Sequence, residues 1–208
     1  NIFSIDRLGL GDTFEAGRSI TLGVDYKKQM LKDVNKYFEI KLASVLRDKE
    51  QKFIPEKTTI NKKTSNIFGS LSTNFSENLN LNYRFAVDNN LDEIKYNDIG
   101  ATFSLNNFVT TFNFIEEKDE MGDQNLIENN TIYKFDDQNQ ISFNTRRNRK
   151  INLTEFYDLV YEYKNDCLVA GIKYKKTYYE DRDLKPVEDL LFTVTLFPLT
   201  TFEQKIDD

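Results

Sequence analysis

Apolar and polar residues alternate along most of this chain, and this alternation is the feature that most constrains its fold. Residues 19–26 place Ile20, Leu22, Val24 and Tyr26 on one side of an extended backbone, and Ser, Thr, Gly and Asp on the other. Residues 79–88 repeat the pattern most cleanly. Successive side chains of a β-strand point to opposite faces, so a period of two predicts strands with one apolar face.

The same pattern predicts about eleven strands of about ten residues, joined by Asn- and Asp-rich turns such as residues 136–139. No stretch has the pattern of a helix. The longest insertion, from Arg47 to Thr64, is strongly charged and is expected to be an exposed loop. The predicted strands lie in or near residues 19–26, 38–43, 69–75, 79–88, 99–105, 157–163, 168–174 and 190–196, with three more beginning near residues 108, 125 and 140.

Strands in this arrangement can form a soluble sandwich or a barrel. The polar sides of the strands are rich in Ser, Thr, Asn and Gly, whereas charged residues gather mainly at strand ends. Small uncharged polar groups suit the wet interior of a barrel, and aromatic residues near strand ends suit its membrane boundaries. The pattern therefore favours an all-β fold, an antiparallel transmembrane β-barrel, and leaves the soluble β protein as the alternative.

Composition excludes several functions. With no His and one Cys, the chain cannot build a Ser-His or Cys-His nucleophile or a usual zinc site, so we predict no catalytic residues, no metal and no cofactor. A net charge of −6 without a basic half argues against nucleic-acid binding. The chain begins with Asn and shows no signal peptide, so it is expected to be a piece of a longer protein.

The run "NTRRNRKINLTEFYDLVYEYKNDCLVAGIKYKKTYYEDRDLKPVEDLLFTVTLFPL", residues 144–199, resembles the end of the lipopolysaccharide-assembly outer-membrane proteins of the LptD family, particularly their alphaproteobacterial members. The start, "NIFSIDRLGLGDTFEAGRSITLGVDY", is similar to that family's entry into the second half of its barrel. The resemblance implies that residues 1–208 are the C-terminal part of a larger outer-membrane barrel domain. The N-terminal periplasmic domain and the first strands would then be missing.

The resemblance also implies a function. Such a protein inserts lipopolysaccharide into the outer leaflet of a Gram-negative outer membrane through a luminal path and a lateral gate. Its partners would be lipopolysaccharide, outer-membrane lipid, an LptE-like lipoprotein plug and a periplasmic Lpt bridge reached through the missing domain. A generic outer-membrane porin or transporter is the first alternative. A soluble β-sandwich used for adhesion is the second.

The closing strand of that barrel would contain Leu190, Phe192, Val194 and Leu196, and it would pair with the first strand to form the gate. Pro198 follows, and because proline donates no ladder hydrogen bond, pairing is expected to stop there. The alternative is that Pro198 merely ends an ordinary edge strand.

Cys167 occupies the place where the family carries cysteines just before a late strand, and the resemblance implies a disulfide with a partner outside this chain. Asp166 stands where one common form of the motif has a second cysteine, so at most one bridge is expected. The alternative is that Cys167 is a small buried hydrophobic residue.

Four cations cluster near a predicted strand end. Arg146, Arg147 and Arg149, with Lys150, could contact lipopolysaccharide phosphates through charge-assisted hydrogen bonds. A solvated turn, or charges at the membrane boundary, is the alternative.

Overall fold

The computed structural model describes residues 17–54, 56, 59–179, 185–197 and 200–206, and for residues 75, 120 and 200–206 it describes the backbone alone. These residues form twelve β-strands and one short 3₁₀ turn, Asp119–Met121. The strands are β1 Ser19–Met30, β2 Asp33–Arg47, β3 Ile67–Ser76, β4 Leu79–Val87, β5 Ile94–Leu105, β6 Phe108–Glu117, β7 Gln124–Lys134, β8 Asn139–Asn148, β9 Leu153–Lys164, β10 Leu168–Thr177, β11 Val187–Leu196 and β12 Thr200–Ile206.

The strands follow one another through the sheet in chain order, from β1 to β12. Neighbours whose register is known pair antiparallel. The predicted fold class is confirmed as all-β with antiparallel strands, and its closure into a transmembrane barrel stays a prediction. The described part of the chain contains no helix that is long and apolar enough to cross a membrane.

One strand was not predicted. β12 pairs with β11 from Leu190 opposite Ile206 to Leu196 opposite Thr200. The prediction that Leu190–Leu196 is the last strand is therefore wrong, because the chain adds another strand beyond it. Pro198, which was expected to end the pairing, lies outside the described residues.

The chain divides into two compact units. The first contains Asn1–Gly100 with Ile115–Gln124, and the second contains Ala101–Phe114 with Asn125–Asp208. In the first unit the register brings Val24 opposite Leu42, and Leu42 opposite Gly69. Gly69 in turn faces Phe85, whose ring covers it so closely that a Cβ at position 69 would overlap the ring. A side chain at position 69 would therefore require the Phe85 ring to move.

The second unit shows the same matching of apolar residues. Phe143 on β8 faces Leu159 on β9, and Leu159 faces Tyr174 on β10, which faces Leu190 on β11. In each unit, we call the side that carries these residues, or in the first unit Val24 and Leu42, the apolar face of that unit. The opposite side is its polar face. The alternation predicted from sequence therefore runs in register from strand to strand within each unit.

The segment between β2 and β3 differs from its prediction. Ile54 and Ile60 are buried and pack with Val45 of β2 and Phe68 of β3 on the polar face. Arg47 is also buried, and its Nε donates a hydrogen bond to the carbonyl oxygen of Ile60. The expectation of a wholly exposed loop from Arg47 to Thr64 is therefore wrong, because two isoleucines within the charged sequence fold back onto the sheet.

Hydrogen bonds also attach the segment between β2 and β3 to the sheet. The Ser65 hydroxyl accepts a hydrogen bond from the Val45 N–H at 2.9 Å, and the Thr59 hydroxyl accepts one from the Asn66 N–H at 3.0 Å. Thr59 and Ser65 are fully buried, so both hydroxyls need these partners. The segment is fastened at several points and covers one end of the polar face of β2 and β3.

Replacing Ile60 with Ala should lower the free energy of unfolding of this segment by about 2–4 kcal/mol, because it leaves a cavity against Val45. Limited proteolysis between residues 48 and 66 should become correspondingly faster. The control is Phe53→Ala in the same segment, because the Phe53 side chain is 89% exposed and its removal should change little. Equal proteolysis rates for the two variants would contradict the claim that Ile60 holds this segment on the sheet.

Candidate functional site

The apolar face is exposed, which is unusual for large apolar side chains. On β1, Ile20, Leu22, Val24 and Tyr26 are between 52% and 64% exposed. In the second unit, exposed apolar side chains of the same face occur on β9, β10 and β11; they include Leu159, Tyr161, Ile172 and Phe192. Contiguous apolar surface of this kind marks a face that contacts another protein or lipid rather than water.

Charged residues on the apolar face lie toward the ends of the strands. Lys28 is near the end of β1, Lys95 is the second residue of β5, and Arg147 is near the end of β8. Lys176 and Glu188, at adjoining ends of β10 and β11, form an ion pair. Between these ends the face carries mainly aliphatic, aromatic and uncharged polar residues. This distribution is typical of an apolar band with charged borders.

The polar face carries ion pairs in mid-strand. Asp158, which is buried, pairs with Lys173 at 2.9 Å, and Lys41 lies 3.5 Å from Asp25 and 3.2 Å from Glu39. The sequence analysis placed most charge at strand ends and missed these pairs. The register could have revealed them, since Asp25 lies directly opposite Lys41.

The connections at the two edges of the sheet differ in length. Because consecutive strands are antiparallel, alternate connections lie at the same edge. In the first unit, one edge, the short-turn edge, has the connections 31–32 and 77–78, and the other, the long-loop edge, has the connections 48–66 and 88–93. In the second unit, the short-turn edge has the connections 135–138 and 165–167, and the long-loop edge has the connections 149–152 and 178–186.

Cys167 lies at the short-turn edge, one residue before β10 begins. It is exposed, and within the described residues it forms no disulfide. The Asn165 side-chain oxygen accepts hydrogen bonds from the N–H groups of Cys167 and Leu168, at 2.9 and 2.8 Å. The Cys167 carbonyl accepts a hydrogen bond from the Phe197 N–H at 2.9 Å. The alternative of a buried hydrophobic cysteine is therefore wrong, and the disulfide stays a prediction.

A cavity of about 540 Å³ adjoins the Cys167 turn. Its lining is mostly charged and amide side chains, among them Lys134, Asp136, Gln140, Glu162 and Lys164. Gln140 donates a hydrogen bond to Glu162 at 3.0 Å. The sequence analysis did not find this cavity, because its lining comes from three separate turns or strand ends.

The three predicted arginines are divided between the two faces. Arg146 lies on the polar face, where its guanidinium pairs with Glu155 and lies 3.8 Å from Glu128. Arg147 and Arg149 are exposed at the long-loop edge on the apolar face. The Arg147 guanidinium donates to the Asn152 side-chain oxygen, and the Arg149 guanidinium lies over the Phe114 ring, 5.6 Å from its centroid. The structure therefore brings two of the three together.

Leu190, Phe192, Val194 and Leu196 share the apolar face of β11, as the alternation predicts. β11 is hydrogen-bonded on both sides, to β10 and to β12. These residues therefore do not form a free edge, and their role in a gate stays a prediction. Among the described residues, no group of three or more His, Cys, Asp and Glu side chains is placed to hold a metal ion.

Comparison with known proteins identifies no family for this chain. No family model matches the chain, and no curated protein matches it. Among solved structures, a triple mutant of the Rh. blastica porin matches with 10% sequence identity over 90% of this chain and 88% of that chain, with a TM-score of 0.44. The superposition is too loose for this likeness to bear on function. The resemblance to the LptD family therefore stays a prediction.

One carboxylate at the cavity has a perturbed pKa. Asp136 accepts hydrogen bonds from the Asn139 side chain and from the N–H groups of Gln138 and Asn139, and these bonds hold its pKa below the ordinary value. Because the folded pKa is lower than the unfolded pKa, the ionised group stabilises the turn above the unfolded pKa. This contribution is lost as the pH falls through the folded pKa.

Asn139→Ala should therefore raise the pKa of Asp136 toward its ordinary value, since the largest contribution to the shift comes from the Asn139 side chain. Carboxyl titration by NMR of the folded protein in micelles would measure the change. Asn165→Ala, in the neighbouring turn, is the matched control and should leave the pKa of Asp136 unchanged. An unchanged Asp136 titration in Asn139→Ala would refute the assignment.

Proposed function

We propose that this chain is part of an outer-membrane β-barrel of the porin or transporter class, with the apolar face toward lipid. The observation that carries the proposal is the exposed apolar face, whose charged residues lie toward strand ends. Strands of 9–15 residues, as β1 to β11 are, are long enough to cross the hydrocarbon layer when tilted. In such a barrel no catalytic chemistry is required of the chain.

The two edges support an orientation. Outer-membrane barrels have short periplasmic turns and longer extracellular loops. The short-turn edge, with Cys167, would then face the periplasm. The long-loop edge of the second unit, with Arg147 and Arg149, would lie at the outer leaflet.

A soluble β-sandwich accounts less well for these observations. In a sandwich, the apolar faces of two sheets pack on one another and are buried. Here the described strands form a single sheet, and its apolar side chains remain half exposed or more on β1. If lipid covers that face, its exposed apolar side chains are accounted for without a second sheet.

Val24→Arg should discriminate between these possibilities. Val24 is near the middle of β1 and is 61% exposed. If it faces lipid, an arginine there should cost about 2–4 kcal/mol of folding free energy in bilayers. If it faces water, the cost should be close to zero. Urea titration of the full-length protein refolded into vesicles would measure the difference.

Ser72→Arg is the control for that experiment. Ser72 is on the polar face in the middle of β3, opposite Glu39, so an added guanidinium there meets an opposite charge. It should cost little in either environment. Equal effects of the two variants would contradict a lipid-facing β1.

The narrower proposal is that the barrel acts in lipopolysaccharide assembly, with lipopolysaccharide, an LptE-like lipoprotein and a periplasmic Lpt bridge as partners. The resemblance of residues 144–199 suggests it, and one structural observation favours it over a generic porin. Cys167 is exposed at the edge assigned to the periplasm, an oxidising compartment, and it is therefore accessible to a cysteine elsewhere in a longer chain.

A gel of the full-length protein from envelope fractions tests this role. Heating should shift the band because a folded barrel resists the detergent, and reductant should shift it again if Cys167 bridges to a distant domain. Cys167→Ser should remove the second shift and retain the first. A heat shift without any response to reductant in the unmodified protein would leave a barrel and count against the assembly role.

A further inference from the structure

Arg147 and Arg149 lie on the same border of the apolar face. Arg147 is opposite Ile127 in the β7–β8 register, and the Arg149 N–H extends that ladder by donating to the Asn125 carbonyl at 2.7 Å. Arg149 is the first residue after β8 and continues its ladder, so the backbones of the two arginines are only about 7 Å apart. Their surroundings include Phe114, which lies under the Arg149 guanidinium.

Neither guanidinium has a carboxylate partner within the described part of the chain. Arg147 is held by an amide oxygen and Arg149 by an aromatic ring. Other cations at this edge of the second unit have carboxylate partners: Arg146 pairs with Glu155, and Lys176 pairs with Glu188. Two positive charges therefore remain uncompensated where the apolar face ends.

We propose that Arg147 and Arg149 bind the phosphate group of an anionic lipid in the leaflet at the long-loop edge. This inference rests on the proposed membrane-spanning role of the sheet. The ligand would lie outside the barrel wall, against its lipid-contacting face, and not on a path along the polar face. Arg146, which faces the other way, takes no part.

The chemistry favours phosphate. Guanidinium groups present planar forks that match two phosphate oxygens at once, and such charge-assisted bonds are stronger than neutral ones. Neither guanidinium has to leave a carboxylate in order to bind a phosphate, because Arg147 contacts an amide oxygen and Arg149 an aromatic ring. The acyl chains of a bound lipid would lie along the apolar face below, where Ile127 and Phe143 continue the same surface.

The test uses the full-length protein in neutral-detergent micelles doped with a phosphorylated glycolipid or with its dephosphorylated counterpart. Native mass spectrometry counts the lipid molecules retained per protein. The variants are Arg147→Gln with Arg149→Gln, the matched control Arg146→Gln, and Lys176→Gln with Glu188→Gln as a neutralised pair at the same border. A heat-shift gel confirms that each variant is folded.

The unmodified protein should retain the phosphorylated lipid, and the double arginine variant should bind it at least about tenfold more weakly, given the usual strength of hydrogen bonds to charged groups. Both controls should bind as the unmodified protein does. Conservative Arg147→Lys with Arg149→Lys should fall between, because charge remains but the forks are lost. If the double glutamine variant does not fold, the lysine variant carries the comparison.

Three outcomes would overturn the proposal. Equal retention of the dephosphorylated lipid would show that acyl chains alone bind. Equal binding by the double arginine variant would place the ligand elsewhere. Displacement of the lipid by millimolar inorganic phosphate, with phosphate itself bound by the protein, would assign the site to the free anion. Failure of the Val24→Arg test would instead refute the membrane-spanning role, so the two failures are distinguishable.

Discussion

The structure depends on one constraint: a strand with a period of two presents an apolar face, and that face has to be covered. Within each unit, the antiparallel register places apolar residues opposite apolar residues, so the face is continuous from strand to strand. On the polar side, Asp158 pairs with Lys173 in the second unit, and Ile54 and Ile60 pack on the sheet in the first unit. The apolar side has no such cover among the described residues, and this is the reason for proposing that it contacts lipid.

The sequence predicts the strands well because alternation is a local property. All eleven predicted strands are present, and within each unit the apolar residues of strands with known register lie on one face. The twelfth was missed because Thr200–Ile206 is short and its sequence has Gln204 between Phe202 and Ile206, where strict alternation requires an apolar residue. Pro198 was expected to end the pairing, but a proline that follows one strand does not prevent the chain from forming a second strand beyond it.

What the sequence could not predict depends on contacts between distant residues. The charges of residues 48–66 indicated solvent, but Ile54 and Ile60 find Val45 and Phe68 only once β2 and β3 are paired. The cavity beside Cys167 likewise requires three connections to meet. The arginine cluster is an intermediate case. Alternation alone separates Arg146 from Arg147, whereas the partners that neutralise Arg146 become visible only in the fold.

The second unit places two different kinds of exposed group at opposite ends of its strands. The thiol of Cys167 lies at the short-turn edge, and the uncompensated guanidinium groups of Arg147 and Arg149 lie at the long-loop edge. A thiol can form a lasting bridge only in an oxidising compartment, and a guanidinium pair at an apolar border is best satisfied by an anionic headgroup. A soluble sheet would gain nothing from this separation, whereas a sheet that crosses the outer membrane meets the two environments at these two ends.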